Sequence, residues 1–461
     1  MRKVVSISLL SLLTSSLLLA QSVAQAEPHA HGARTHTHPF PAQGVKHKHG
    51  AGAVGRYAGK APARQAPSAT QPRQAQQYQQ PRTAPRGAAQ GNNVNSQLQN
   101  AYKRKDYRTV YRLASAYAKQ GDPAAQYVMG QLFLLGQGQR KNPKTAFNWF
   151  KKSADKGHPG SQFLLASLFT SGTGTGKNLG QAHKYYKLAA AKGVPDAARS
   201  LGIMYENGHG VKKNMALAMR YYEQAANKGL TDVQLMLGER YLKGIGVKKN
   251  PKKAFNFINK AARAGDSNAD YLLGVSYANG SGVKKNNSLA FKHISKAAKR
   301  NNTDAQYDLA SMYSQGIGTK KNDAQAIKWF KKAANKGVVL AQHNLGLIYL
   351  QGIGTKRNDK VAFSWFNKAA RKGFALSQYF MGDLYVDGIG VNKSHKQAFN
   401  WYKKAAIQKL PAAQYSVGAM YANGYGVKNN IQEAKKWFQK AAKQGNTKAK
   451  NALVVIKKNG L

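Results

Sequence analysis

The sequence predicts an all-α protein: an α/α solenoid, wound as a right-handed superhelix, of nine 36-residue helix-turn-helix repeats. Three series predict it. Gly136 and Gly138 recur every 36 residues as far as Gly424 and Gly426. Ala146 recurs with the same period as far as Ala434. A capping residue keeps step with them from Asn142 to Asn430, with Ser394 as its one replacement. The nine copies fill residues 122–445 of a 461-residue chain. A period of this length marks stacked supersecondary units, because a lone helical hairpin cannot hide its apolar face.

Two segments of different composition precede the repeats. Arg2 and Lys3 lead into an apolar run over residues 4–20, and Ala24-Gln25-Ala26 has the small–x–small form of a signal-peptidase site. Residues 1–26 therefore read as a cleaved signal peptide, and the chain as exported, periplasmic or secreted. The run is short for a bilayer span and is interrupted by serines and threonines, so no transmembrane segment is expected after cleavage. Residues 27–95 hold eight of the fourteen prolines and a single acid, Glu27. Such a segment buries too little apolar area to offset its chain entropy and reads as a disordered linker. It contains three His-x-His pairs, His29/His31, His36/His38 and His47/His49. Imidazole pairs chelate transition metals, but nothing around these organises a coordination sphere, so they read as a solvated tail. No metal site and no cofactor is expected.

Each copy reads as two helices. In one of them, Ala197, Leu201, Gly202 and Tyr205 make a helical face, which stops at Asn207-Gly208. Two glycines supply a tight turn, and Asn214 caps the second helix. That helix carries Ala218, Tyr221, Tyr222 and Ala225 on its buried side and ends at Gly229. Lys409 breaks the row of residues suited to a left-handed helix end, with Pro411 expected to stop that helix instead. A small residue recurs from Gly130 to Gly418, which lets neighbouring helices approach. Residues 96–121 read as an N-terminal partial repeat and 446–461 as a C-terminal capping helix.

The run Leu201-Gly202-x-x-Tyr205-x-x-Gly208-x-Gly210-Val211, followed by Ala218-x-x-Tyr221-Tyr222, Ala225-Ala226 and Gly229, resembles the Sel-one-like repeat. That family is related to the tetratricopeptide repeat. The resemblance implies protein–protein scaffolding and, in exported bacterial members, envelope assembly or host-cell interaction. Secreted cysteine-rich relatives carry a disulfide in each repeat. This chain has no cysteine, so neither their connectivity nor any activity of theirs is carried over.

The absence of cysteine also excludes a thiol nucleophile and a Cys-ligated metal. No H-E-x-x-H or G-x-S-x-G motif occurs, and carboxylates are scarce, so no enzyme is expected. The stretch 171–178 has the glycines and the Lys177 of a phosphate-binding loop, but its register is wrong and it aligns with the ordinary repeat turn. A row of glutamines, Gln126, Gln162, Gln234, Gln306, Gln342, Gln378 and Gln414, reads as hydrogen bonding between copies rather than as a ligand site.

Charge carries the remaining signal. The chain has 72 Lys and Arg against 18 Asp and Glu, a net +54. Fifteen of these cations fall at one phase, in the turn between the two helices; ten of them are Lys212, Lys213, Lys248, Lys249, Lys284, Lys285, Lys320, Lys321, Lys356 and Arg357. Copies about 8–10 Å apart place such charges within a Debye length of one another, so they add into a positive stripe. Two functions are consistent with this pattern. One is an interaction scaffold with an unnamed protein partner on the first helices, for which Arg199, Tyr271, Tyr307, His343 and Tyr379 are the contact candidates. The other is a surface for a polyanion: lipopolysaccharide, a sulfated glycan or extracellular nucleic acid. Sequence-specific nucleic-acid recognition is not expected, since no reading helix or aromatic platform is evident.

Overall fold

A computed structural model describes residues 91–458, with side chains from residue 97. The expected signal peptide, most of the linker and the three His-x-His pairs lie outside the described residues. The described residues form 21 α-helices, from Gly91–Lys103 to Thr447–Lys458, and no strand. None of these helices is long and apolar enough to cross a membrane. The protein is an all-α solenoid of paired helices. The described residues divide into two compact units, 91–189 and 190–458, and both are built the same way.

At the N-terminal end the helix Gly91–Lys103 starts inside the segment expected to be linker. It pairs with Tyr107–Lys119, so the expected partial repeat is a complete hairpin. Leu98, Ala101 and Tyr102 pack with Val110 and Ala114, and a helix nucleated by those contacts extends backward at little cost. At the other end Asn446 caps Thr447–Lys458, accepting a bond from Ala449 N at 2.8 Å.

The copy formed by Pro195–Asn207 and Met215–Asn227 shows how the pattern folds. Ala197, Ala198 and Leu201 from the first helix and Ala218, Ala225 and Ala226 from the second have no exposed surface. The turn between them is fixed by its backbone. Gly208 closes the first helix in the left-handed conformation, and the Asn214 N–H returns to Tyr205 O at 2.8 Å. Asn214 Oδ1 then accepts from Leu217 N at 3.0 Å, satisfying one of the orphan donors at the second helix start. The same side-chain cap is present in all nine copies, with Ser394 serving at 3.3 Å.

The second turn glycine has a role that the sequence did not disclose. At Gly282 φ is +76°, and a Cβ there would collide with the carbonyl of Pro251, the first residue of the preceding copy's second helix. Equivalent positions meet the equivalent backbone at Gly174, Gly318, Gly390 and Gly426. At these five positions the turn therefore rests directly on the copy before it. Lys409 corrects another expectation: it keeps the left-handed conformation of the glycines in its row, with φ +65°, rather than leaving Pro411 to end the helix.

The glutamine row does join copies. Gln234 Nε2 donates to Ala226 O at 2.8 Å, from the first helix of one copy to the last turn of the preceding second helix. Gln126, Gln162, Gln306, Gln342, Gln378 and Gln414 repeat this bond at 2.9–3.3 Å.

Three substitutions separate these constraints in chemical denaturation. Gly229 has φ +98° and open space around its Cβ, so Gly229→Ala costs about 1 kcal/mol of backbone strain alone. Gly282→Ala adds a backbone collision and costs about 2–4 kcal/mol. Lys409→Gly relieves strain and stabilises by about 1 kcal/mol. Equal losses at Gly229 and Gly282 would show that the turns do not rest on one another.

Candidate functional site

The fixed turn decides where the lysines go. In six of the nine copies a cation pair directly precedes the capping residue, and in the other three a single lysine, Lys177, Lys393 or Lys428, lies in the same turn, between a locked glycine turn and a capped helix. Lys212, Lys213, Lys248, Lys249, Lys284, Lys285, Lys320, Lys321, Lys356 and Arg357 are all exposed, and all lie in the unit 190–458. Among the described residues, the ion pairs made by these ten are Lys321 to Asp323 at 3.4 Å and Arg357 to Asp359 at 2.7 Å. Bonding to Asp359 holds the Arg357 guanidinium above its ordinary pKa. The edge is therefore cationic and largely solvated.

The rest of the charge is segregated between the helices. In this unit the seven first helices carry nine carboxylates against three Lys and Arg. The seven second helices carry 21 Lys and Arg against four carboxylates. A polyanion therefore meets favourable potential along the turns and second helices and not along the first helices.

The five residues expected to line a partner groove are placed differently. Tyr271, Tyr307 and His343 are buried, 3–5 % exposed, and cannot present a contact surface. They join consecutive first helices instead. Tyr271 Oη donates to Asp308 at 2.8 Å, and Asn344 Nδ2 approaches Tyr307 Oη at 3.5 Å. His343 Nδ1 lies 2.9 Å from Ser377 Oγ, with the ring set among Phe366, Phe374 and Phe380. Tyr379 is half-buried against Tyr402. Arg199 is held between Asp196 of its own helix and Asp232 of the next copy, at 3.0 and 2.8 Å. The variability of this row is a variability of packing. Exposed positions on the first helices of this unit include Ile203, Asp232, Asn268, Asp304 and Asp387.

Burial perturbs three groups of this layer. It drives the His343 pKa down to about 3 and raises those of Asp308 and Asp383 to about 7, against hydrogen bonds from Tyr271 and Tyr402 that pull the other way. These groups are enclosed rather than directed into a cleft, so they are packing groups. Among the described residues, no cluster of three or more His, Asp or Glu is arranged to hold a metal ion.

A second cationic row escaped the sequence reading. Lys156, Arg300, Lys336 and Lys372 donate from the end of one second helix to the carbonyl that ends the preceding one, at Gly121, Gly265, Asn301 and Gly337. Gln408 does the same to Gly373 at 3.0 Å. The 36-residue recurrence was visible, but a lysine at a helix end looks solvated until the preceding helix is in place. These cations neutralise helix C-termini and are distinct from the turn lysines.

With this architecture described, comparison with known proteins is decisive for family. The Sel1 repeat model matches nine consecutive segments, from residues 123–158 to 411–446, without a gap. The chain belongs to the Sel1 repeat family. Two solved structures agree. One, a protective antigen present in uropathogenic Escherichia coli strains with an SLR fold, is 30 % identical; the match covers 80 % of this chain and 81 % of that one, with a TM-score of 0.66. The other, a Sel1 repeat protein from Oxalobacter formigenes, is 32 % identical over 67 % of this chain and 89 % of that one, with a TM-score of 0.56. No curated protein matches the sequence. Sel1 repeat proteins are protein-interaction scaffolds.

The buried acids give this Sel1 solenoid a testable pH response. Asp308 keeps its proton in the folded state up to about pH 7, whereas the unfolded chain loses it above about pH 4. Between those values the folded state binds more protons, so this group's contribution to stability falls as pH rises. Asp308→Asn mimics the protonated acid. The variant is expected to match the parent near pH 4 and to exceed it near pH 8, on the order of 2–4 kcal/mol, in urea unfolding. His343 acts in the opposite sense: stability is lost as pH falls below about 6.5 toward 3, and a neutral isostere should flatten that decline. An Asp308→Asn offset that is the same at both pH values would mean that the carboxyl is not held neutral.

Proposed function

We propose that this chain is an exported, non-enzymatic scaffold for protein partners, working in the envelope or at the contact with a host cell. The observation that carries the reading is the use of the polar groups within the repeats. Among the described residues the buried polar groups of the first helices are engaged within the stack, Tyr271 with Asp308 and His343 with Ser377 between copies and Asp270 with Arg300 inside one, which leaves them to packing and the outside to binding. The similarity to a protective antigen of a pathogenic bacterium supports placement outside the cytoplasm. The basic, apolar and small-residue order of residues 1–26 supports the same placement.

Export is checked by N-terminal sequencing of the protein recovered from its own host. The expected mature chain begins at Glu27 and fractionates outside the inner membrane. Recovery of an intact Met1 chain in the cytoplasm would overturn the reading.

A second reading, contact with a polyanion, is favoured by the ten exposed turn cations, two of which have carboxylate partners among the described residues. Retention on heparin tests it. The affinity should fall by several orders of magnitude between about 0.1 and about 0.5 M salt, and changing Lys212, Lys213, Lys248 and Lys249 to Gln should flatten that dependence. Salt-independent retention, or none, would return these lysines to a role in solubility.

A further inference from the structure

The turn that carries the lysine pairs also carries apolar side chains, and charge alone does not account for them. The residue between the two turn glycines is Ile245, Ile317, Ile353, Ile389 or Tyr425 in five of the seven copies of the unit 190–458. The residue after the second glycine is Val211, Val247, Val283, Val391 or Val427 in five, each half-exposed. Ile245 is 50 % exposed and Tyr425 is 38 % exposed. Ile317 and Ile389 turn partly inward onto the core.

The backbone does not require an apolar residue here. His209 and Ser281 occupy the same position between glycines of the same conformation, φ +76° and +71° around His209 and +70° and +76° around Ser281. An exposed Ile at a turn tip is unfavourable in water, and single exposed apolar residues are common enough to need no explanation. A row of them at one phase, each followed within four residues by cations, is a different pattern. Because the turns from Gly246 to Gly426 each rest on the start of the preceding copy's second helix, the tips and the lysines that follow them recur along one edge.

We propose that this edge docks on an anionic lipid surface, with the lysine pairs on headgroup phosphates and the apolar tips in the interfacial layer. The proposal rests on the polyanion reading and narrows it to one source of phosphate. A soluble sulfated glycan gains little from an aliphatic tip such as Ile245 or from Tyr425. A bilayer interface gains from both, since aliphatic side chains partition into the acyl boundary and tyrosine favours headgroup depth. Cations beside such tips add attraction to an anionic leaflet that decays within a Debye length. The association is peripheral, as no described helix is able to span a membrane.

The test is co-sedimentation of the chain from Glu27 onward with phosphatidylcholine vesicles, with and without phosphatidylglycerol, in parallel with heparin binding. The parent is expected to bind only vesicles containing phosphatidylglycerol. The variant Ile245→Ser keeps every lysine and removes a half-exposed side chain, so its melting temperature should match the parent's; Tyr425, which stacks on His395 at 5.1 Å, is left in place. It is expected to bind heparin unchanged and to lose about tenfold in partitioning to the anionic vesicles. If the variant partitions like the parent, or if the parent binds heparin but no vesicle, the lipid inference fails and the polyanion reading stands. If neither heparin nor vesicles are bound, both fail.

Discussion

Seven of the described second helices receive, on a carbonyl of their last turn, a side-chain hydrogen bond from the glutamine of the next copy. Helix C-termini always leave orphan acceptors. Here the glutamine at the start of the following first helix adds a second donor to a carbonyl that the helix's own end also reaches, as Gln234 does at Ala226 O beside Gly229 N. A Lys, Arg or Gln at the end of the following second helix reaches another carbonyl, as in Lys372 to Gly337. A copy removed from the stack would expose both acceptors together with its apolar face. The 36-residue period follows from these bonds, because insertion of a residue between the donor and its acceptor would break the bond in that copy. Stability is then a sum of copies and of the joins between them, with the joins supplying what a lone hairpin lacks.

The same joins explain why lysine is present in such excess without all of it serving one purpose. Some cations end helices and neutralise the partial negative charge there. Others lie over aromatic rings on the second helices: Lys332, Lys368, Lys404 and Lys440 sit 4.0–4.2 Å from the rings of Trp329, Trp365, Trp401 and Trp437. The turn set neither ends a helix nor covers a ring, so with the remaining second-helix cations it is left for an external anion. The net charge of the chain therefore overstates the charge that is free to bind.

The fold was legible because its determinants are local and repeated. A glycine that must be left-handed, an asparagine that must cap and an alanine that must be buried each act within a few residues, and nine copies remove the ambiguity of any one. The site was less legible because its determinants are relations between copies. Tyr271 looks like a groove residue in its own helix, and it becomes a buried donor only when Asp308, 37 residues on, is set beside it. Arg199 looks free until Asp232 is counted. Lys409 looks like a break because side chains with a Cβ disfavour the left-handed region, yet the surrounding stack imposes it. A search for polar pairs offset by one period plus one residue would have found the first of these from the sequence.

The division of labour within a copy gives the functional reading its shape. The first helices spend their polar groups inward, on the copies before and after, and the charge they keep is slightly acidic. The turns give the stack two glycines, a cap and, in some copies, an apolar side chain such as Ile317, Ile389 or Val427, while the cations beside them point to solvent. Selection on those cations is thus separable from selection on the fold. Lysine pairs persist at the turns through copy after copy although the caps and glycines around them would hold with any polar residue. Where the fold asks only for solubility, a mixture of charges serves as well. A single sign, kept in one phase beside apolar tips, is what an anionic surface asks for.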